Sequence, residues 1–273
     1  MENTYFCSFA DTTMYQSLQR IGKQAKKFKL FKKVFLFTER ELPQETREEC
    51  AKIIEITGRR RGYGYWIWKP VILLECLNKM KTNDILVYTD AGSHLNYKGK
   101  TKLLSYIEQA KQNDIWVTKM GNELNELNYT KADTRELFKD MLPTEDVLKE
   151  GQIQSGNIIM TKNEYTINII KTWKEYMNVN NLHYFDDSES ISSNITGFKE
   201  NRHDQSIFSL ILKCNHYTYS EDCKTWTPDE QGWKELEKTE PILNKRDKVM
   251  GQYYSFKDKL ALIKQKIKEF IFK

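Results

Sequence analysis

The chain has 273 residues, of which 39% are hydrophobic and 30% carry a charge. These fractions are typical of a globular protein, and they exclude a bundle of membrane-spanning helices and a disordered polyelectrolyte. The net charge of +5 comes largely from residues 256–273, which hold six lysines against two acids, so the remainder lacks the strongly basic composition of a nucleic-acid-binding protein.

The sequence indicates neither a secretory signal nor a zinc site. The N-terminal residues lack the basic and apolar regions of a secretory signal, and no apolar run approaches the ~20 residues that span a bilayer. The five cysteines are scattered, without the spacing of a zinc site or a disulfide framework. We therefore expect a cytoplasmic protein with reduced thiols.

Short apolar runs alternate with segments of helical periodicity along the chain. Residues 4–9 predict a strand, Asp11 and Thr12 follow it as a loop or helix cap, and a helix begins near Met14. The later elements are strands over 33–38, 84–89, 114–118, 152–161 and 216–219, and helices over 45–56, 70–80, 166–176 and 204–212. This order predicts an α/β fold with a mainly parallel central sheet and helices on both faces.

Three stretches, 58–65, 121–129 and 178–200, fit no regular element. The last is long and rich in Asp, Ser and Asn, and loops of that length are usually functional or disordered. No linker precedes about residue 222, so we expect one domain over 1–221 and a C-terminal extension over 222–273.

The extension ends in a basic amphipathic segment. Its apolar residues recur at helical spacing: Phe256, Leu260, Ile263, Ile267, Phe270 and Ile271. Lysines fill much of the rest, so such a helix is suited to an anionic membrane surface. Packing against the chain's own domain explains the stripe equally well, and both interpretations stay open.

The stretch LVYTDAGSHLN, residues 86–96, places Asp90 directly after a buried strand. In open α/β sheets ligands bind at the carboxyl ends of the strands, and the small residues Ala91 and Gly92 let a ligand approach the backbone. An acid there can hold a divalent cation against phosphates or bind a sugar hydroxyl. A simple turn is the alternative interpretation.

The stretch GRRRGYGYWIWKP, residues 58–70, combines three arginines, two glycines, aromatic residues and Lys69. Cations can neutralise a diphosphate, and aromatic rings can stack on a base or a sugar. A surface loop with one buried tryptophan would also fit this pattern.

Two later stretches bring further polar groups beside apolar elements. QSGNIIMTKN, residues 154–163, resembles a strand that starts at a small-residue opening. In RHDQSIFSLI, residues 202–211, Asp204 stands at a helix start, where it could cap the helix or act as general base toward a hydroxyl.

These stretches, in this order, resemble bacterial glycosyltransferases of the GT-A type, the nucleotide-diphospho-sugar transferase superfamily. The likeness is to enzymes of capsule, O-antigen and lipooligosaccharide gene clusters, and it covers residues 5 to about 210. The matching segments are FCSFADT, GYGYWIWKP, YTDAGSHLN, QSGNIIMTKN and HDQSIFS. The resemblance implies a single GT-A-like, Rossmann-like catalytic domain.

The resemblance also implies roles for individual residues. Asp204 would be catalytic, deprotonating the acceptor if the reaction inverts or supporting the sugar if it retains. The donor would be held by Asp11, Arg61, Tyr65, Trp66, Lys69, Asp90, Ala91 and Gly92. The acceptor and the sugar would be held by Gln154, Ser155, Gly156, His203 and Gln205.

The metal site that the resemblance implies is incomplete in this chain. The family's DxD motif holds Mn²⁺ or Mg²⁺ with two carboxylates, whereas Asp90 is followed at the third position by Gly92 and the next candidate ligand is His94. One carboxylate holds a hard cation less strongly than two. Metal dependence therefore stays open, with the arginines at 59–61 or Lys69 as alternative sources of positive charge.

The expected activity is transfer of a sugar from a nucleotide-diphosphate donor, a UDP-sugar by preference, to a hydroxyl of a bacterial cell-surface glycan precursor. A lipid-linked acceptor would fit a cytoplasmic protein that lies peripherally on the inner membrane through residues 256–273, with no nucleic acid as partner. The alternatives are a nucleotidyl- or phosphotransferase and a non-catalytic protein that binds glycans or nucleic acid.

Overall fold

The structure is a computed structural model, and it describes residues 2–247. The amphipathic helix predicted over 256–273, with its membrane contact, lies outside the described residues. The described strands are β1 (Thr4–Phe9), β2 (Phe31–Phe37), β3 (Ile85–Thr89), β4 (His94–Leu95), β5 (Ile115–Lys119), β6 (Ile153–Thr161) and β7 (Ile242–Leu243). No described helix is long and apolar enough to cross a membrane.

The described helices differ greatly in length. The long ones are α1 (Tyr15–Lys27), α2 (Gln44–Thr57), α4 (Trp68–Asn78), α5 (Lys100–Asn113), α8 (Glu164–Tyr176), α10 (Asp204–Lys213) and α11 (Glu230–Thr239). The short ones are α3 (Gly62–Tyr65), α6 (Glu126–Tyr129), α7 (Ala132–Phe138) and α9 (Leu182–Phe185). Parts of all three stretches that the sequence left irregular therefore form short helical turns, which their few apolar residues did not predict.

The central sheet has the strand order β2-β1-β3-β6-β5. β1 pairs in parallel with β2 and β3, whereas β6 runs antiparallel to both β3 and β5. Four of the five strands thus point in the same direction, and the predicted mainly parallel sheet is confirmed. In place of the strand predicted over 216–219, Thr218 forms one isolated bridge with Trp116.

Helices cover both faces of the sheet, as predicted. Alternate residues of β1 point to opposite sides, so that Cys7 packs with α4, α8 and α10, whereas Phe6 packs with α1 and α5. β3 is buried along its whole length, because both of its faces are covered. Asp90, 40% exposed, follows the carboxyl end of this strand.

Residues 222–247 pack against the preceding part of the chain. β7 pairs with β4 in an antiparallel ladder, and Ile242 joins the apolar core on the α1 and α5 side of the sheet. The Lys102 ammonium lies 2.6 Å from a carboxylate oxygen of Glu240. This part of the predicted extension thus contributes to the same core.

A left-handed turn connects α2 to α4. Five consecutive residues have positive φ angles: Gly62, Tyr63, Gly64, Tyr65 and Trp66, at 55°, 51°, 82°, 53° and 65°. Two backbone bonds close the turn, from the Tyr65 amide to the Arg61 carbonyl at 2.8 Å and from the Trp66 amide to the Gly62 carbonyl at 3.2 Å. Each residue with a side chain costs about 1–2 kcal/mol in this conformation. Such strain persists only where the surroundings impose it, often at functional sites.

Gly64 is the position of this turn that lies against the backbone of α2. A Cβ atom there would lie 2.9 Å from the Cys50 Cα atom, and the φ angle is +82°. We expect Gly64→Ala to lower the free energy of unfolding by about 2–4 kcal/mol, from backbone strain and overpacking together. Urea unfolding measures this loss.

The matched control is Gly58→Ala. Its φ angle of +63° is similar, but nothing lies within 4 Å of the added Cβ, so the expected loss is about 1 kcal/mol. Equal losses in the two variants would contradict a close packing of the turn against α2.

Candidate active site

Asp90 lies at the carboxyl end of β3, beside the antiparallel strand β6. Its backbone amide donates to the Gly156 carbonyl at 2.9 Å, and a Cβ atom at Gly156 would lie 2.9 Å from Asp90 Oδ2. Gly156 thus leaves room for the carboxylate. The Asp90 side chain is 40% exposed, so it faces the solvent at the sheet edge rather than the packed interior.

Lys69, the second residue of α4, contacts Asp90 from the side of the sheet that α4 covers. Its side chain is only 1% exposed, and Nζ lies 3.4 Å from Asp90 Oδ1 and 2.7 Å from Asp204 Oδ2. Although burial disfavours the charged form, Asp204 and Asp90 raise the pKa of Lys69 above its usual value. The lysine is therefore a buried ammonium held between two carboxylates.

Asp204, the first residue of α10, lies on the side of β6 and completes an array of three charged side chains, Asp90, Lys69 and Asp204. Its Oδ2 atom accepts hydrogen bonds from Lys69 Nζ and from Ser155 Oγ, both at 2.7 Å, and its side chain is 7% exposed. These bonds go to β6 and α4, and not to the amides of its own helix. Capping of α10 therefore does not account for the contacts of this carboxylate.

Tyr88 supports Asp90 from within the strand. Its hydroxyl donates to Asp90 Oδ1 at 2.5 Å. Burial, together with the negative charge of Asp90, raises the pKa of Tyr88 well above its usual value. The phenol therefore keeps its proton at neutral pH and fixes the orientation of the carboxylate.

A second acidic centre, Asp187, joins the left-handed turn to the start of α10. It accepts hydrogen bonds from Tyr65 Oη at 2.7 Å and from His203 Nε2 at 2.9 Å. Arg59 and Arg61 pair with it at 3.0 and 3.5 Å. Although partial burial opposes ionisation, the bonds from Tyr65 and His203 lower the pKa of Asp187 to about 2.

Asp187 was missed by the sequence-based prediction. The only signal was its position in the polar stretch 178–200, whose length indicates a function without indicating which residue carries it. His203 has a φ angle of +56° and directly precedes Asp204. Its bond to Asp187 therefore holds a strained residue next to the predicted catalytic acid.

The aromatic residues of the turn are largely enclosed. Tyr65 is buried, and its ring lies 5.2 Å from the His203 ring; the Trp66 ring lies 5.4 Å from the same ring. Trp66 is half-buried. In this arrangement both rings pack on His203, and Trp66 is the more accessible of the two.

Asp11 meets the arginine segment from β1. Its Oδ2 atom lies 3.2 Å from Arg60 Nε, so the arginine stretch and the end of the first strand come together. The Ala91 and Gly92 carbonyls bond to other parts of the chain: the Ala91 carbonyl accepts from Arg20 on α1 at 2.9 Å, and the Gly92 carbonyl accepts from the Asp247 amide at 2.8 Å.

Two of the predicted acceptor residues point elsewhere. Gln154 accepts from Thr118 at 2.8 Å and from Asn244 at 3.0 Å. Gln205 donates to Gln152 at 2.7 Å. The structure therefore joins Ser155, Gly156 and Asp204 to the centre formed with Asp90, and it joins His203 to Asp187. Gln154 and Gln205 make contacts beside these centres.

The groups near Asp90 do not fit a divalent cation. The charged neighbour of its carboxylate is an ammonium, and His94 is engaged by Gln24 at 3.1 Å and by Asp247 at 3.0 Å. Within residues 2–247, no group of three or more His, Cys, Asp or Glu side chains could hold a metal ion. Mg²⁺ and Mn²⁺ favour several oxygen ligands, whereas Asp90 is the one exposed carboxylate among Asp90, Lys69 and Asp204.

These features define an α/β protein with a charged candidate active site at the carboxyl end of its parallel strands. No protein-family model and no curated protein sequence matches the chain. Similar solved structures include a glycosyltransferase involved in glycosylation of the major capsid of PBCV-1, with 11% identity, coverage of 96% of this chain and 99% of that one, and a TM-score of 0.46.

Two further structures illustrate the same range of similarity. The galactosyltransferase LgtC, in complex with donor and acceptor sugar analogues, has 13% identity, coverage of 92% and 87%, and a TM-score of 0.44. Mouse xyloside xylosyltransferase 1 has 9% identity, coverage of 89% and 97%, and a TM-score of 0.41. Because these TM-scores lie below 0.5, the function proposed below is drawn from the residues of this chain.

Proposed function

We propose that this protein is a glycosyltransferase that moves a sugar from a nucleotide-diphosphate donor to an acceptor hydroxyl. The observation that carries the proposal is the array of Asp90, Lys69 and Asp204 at the open end of the sheet. Its exposed member, Asp90, is oriented by Tyr88 and by the ammonium at 3.4 Å. A carboxylate fixed in this way can bind the hydroxyls of a sugar or a ribose.

The arginine segment beside the array suits a diphosphate. The Arg59, Arg60 and Arg61 side chains are 61%, 49% and 45% exposed, and guanidinium groups bind phosphate oxygens in a two-pronged geometry. When the sugar leaves, negative charge grows on the diphosphate, and fixed cations next to it lower the barrier. Asp11, which pairs with Arg60, would then lie near the nucleoside.

Asp204 is the acid that we propose for the chemical step. It pairs with the same ammonium, that of Lys69, as Asp90 does. A carboxylate in this position can take the proton of an acceptor hydroxyl or support the sugar as its bond to the diphosphate breaks. Ser155, which donates to Asp204 at 2.7 Å, orients it. Trp66 is the aromatic side chain best placed to contact the ligand.

The finer proposals follow from the sequence pattern. We propose a UDP-sugar as donor, a hexosyl group as the unit transferred, and a bacterial cell-surface glycan precursor such as a capsular or lipopolysaccharide intermediate as acceptor. Residues 1–221 would form the catalytic domain. The basic segment 256–273 would hold the protein peripherally on the inner membrane, where a lipid-linked acceptor is presented.

The test is donor turnover by the full-length protein. UDP-, GDP- and CMP-sugars are incubated with the protein, and release of the free nucleotide is measured with and without glycan acceptors. We expect one nucleotide-sugar to be turned over and Asp90→Asn to lower the rate by about 100-fold, because the oriented carboxylate is lost.

Asp114→Asn is the matched control, because Asp114 precedes β5 at the opposite end of the sheet and its loss should leave the rate unchanged. Pyrophosphate release from nucleoside triphosphates would instead identify a nucleotidyltransferase. Glycan binding without any response to nucleotides would identify a binding protein.

A further inference from the structure

The carboxylate beside which a metal would sit already has a cation next to it. Asp90 Oδ1 accepts the Tyr88 hydroxyl at 2.5 Å and lies 3.4 Å from Lys69 Nζ. The other acid of the array, Asp204, is almost fully buried and uses Oδ2 to accept from both Lys69 and Ser155. A divalent ion at Asp90 would therefore find one carboxylate where it needs several oxygen ligands.

The ammonium cannot move aside to admit a second cation. Lys69 is buried, and its Nζ atom donates to Asp204 at 2.7 Å and to Ser155 Oγ at 3.3 Å. Like charges at short distance in a poorly solvated site repel strongly. Lys69 thus already supplies the positive charge that holds Asp90, and a divalent ion on the same carboxylate would compete with it.

The positive charges that can reach a diphosphate belong to the arginines that precede the left-handed turn. Arg59 and Arg61 are exposed and share the carboxylate of Asp187, at 3.0 and 3.5 Å. Their segment leads through the left-handed turn into Lys69. Asp187 also accepts from His203, the residue before Asp204, so it links the arginines to the start of α10. An incoming diphosphate can take over guanidinium hydrogen bonds that Asp187 now accepts.

We propose that donor binding in this protein needs no divalent cation: Lys69 is the fixed positive charge beside Asp90, and Arg59 and Arg61 neutralise the diphosphate. This rests on the proposed function, since it concerns the donor of the same site. It differs from the metal-bridged arrangement that the sequence resemblance implies. Gly92 stands where that motif has its second carboxylate, and the Lys69 ammonium supplies the positive charge that the metal would otherwise supply.

The experiment uses full-length protein that has been treated with EDTA and dialysed. UDP and GDP are titrated by calorimetry in EDTA and, separately, in MnCl₂, and Mn²⁺ alone is titrated and followed by electron paramagnetic resonance. We expect the Kd of the nucleotide that binds to differ by less than about twofold between the two conditions. We also expect Mn²⁺ to remain free in solution at concentrations where a resident metal would be bound.

Arg61→Gln should weaken nucleotide binding by about tenfold, the cost of one lost charged hydrogen bond. Arg47→Gln is the matched control, because Arg47 is an exposed arginine on α2 that we place outside the site. Equal effects of the two variants would overturn the role of the arginine segment.

The remaining outcomes separate the two proposals. Nucleotide binding that appears only with Mn²⁺, or Mn²⁺ bound by the protein alone, would overturn the metal-free inference and leave the glycosyltransferase proposal standing. Failure of both nucleotides to bind under either condition, together with no turnover of any nucleotide-sugar, would overturn both.

Discussion

Replacing Lys69 by methionine is expected to destabilise the protein and to abolish its activity together. Methionine fills a similar volume without charge, and it leaves the Asp204 carboxylate buried without its ion-pair partner. Removing one member of a buried pair costs about 3–5 kcal/mol. Chemical denaturation measures the loss, and donor turnover is measured at a temperature where the variant stays folded.

Lys213→Met is the matched control for Lys69→Met. Lys213 is equally buried, and its Nζ atom lies 3.1 Å from a carboxylate oxygen of Glu126, at the far end of α10 from Asp204. This variant should lose comparable stability while its folded fraction keeps full turnover. Equal losses of turnover in both lysine variants would mean that Lys69 acts through stability alone.

Asp204→Asn is expected to lower kcat by about 1,000-fold, within the range for loss of a general base or acid. Asparagine keeps the shape and can still accept from Ser155 and Lys69, so donor affinity should stay within about twofold of wild type. Turnover and nucleotide titration on the same sample separate the two effects. The reason is chemical: an amide can neither take a proton nor carry the negative charge of a carboxylate.

A control for the position of Asp204 at a helix start is Asp229→Asn. Asp229 precedes α11 and accepts from the Gly232 amide at 2.6 Å, so it is a helix-capping acid, and asparagine caps about as well. We expect no change in turnover there. Near-normal turnover in Asp204→Asn as well would return Asp204 to an electrostatic role at the start of α10.

The prediction of the fold from the sequence succeeded where a run of apolar residues indicates a buried strand. The runs at residues 4–9 and 84–89 are almost continuously apolar, and such runs are typical of strands covered on both faces. The direction of β6 was not predictable in this way. Antiparallel and parallel strands bury the same side chains, and only pairing with β3 and β5 decides between them.

The candidate site was predicted in its parts but not in its contacts. The sequence placed Asp90 after a strand and Asp204 at a helix start, and it singled out Lys69 in an aromatic, arginine-rich segment. It described Lys69 as a source of charge for the donor, whereas the structure buries its ammonium between the two acids. The role of Asp187 was invisible, because a polar loop has no periodicity from which to single out one residue.

The sequence by itself determined the alternation of strands and helices, the position of Asp90 at a strand end and the glycine-containing segment that forms the left-handed turn. The tertiary structure alone decided that Lys69 meets Asp204, 135 residues later in the chain, and that Asp187 ties the turn to α10. The physical reason is that periodicity and backbone preference act between near neighbours. The charge of a buried ammonium is satisfied only by whichever carboxylates the packing of α4, β3 and α10 brings within reach.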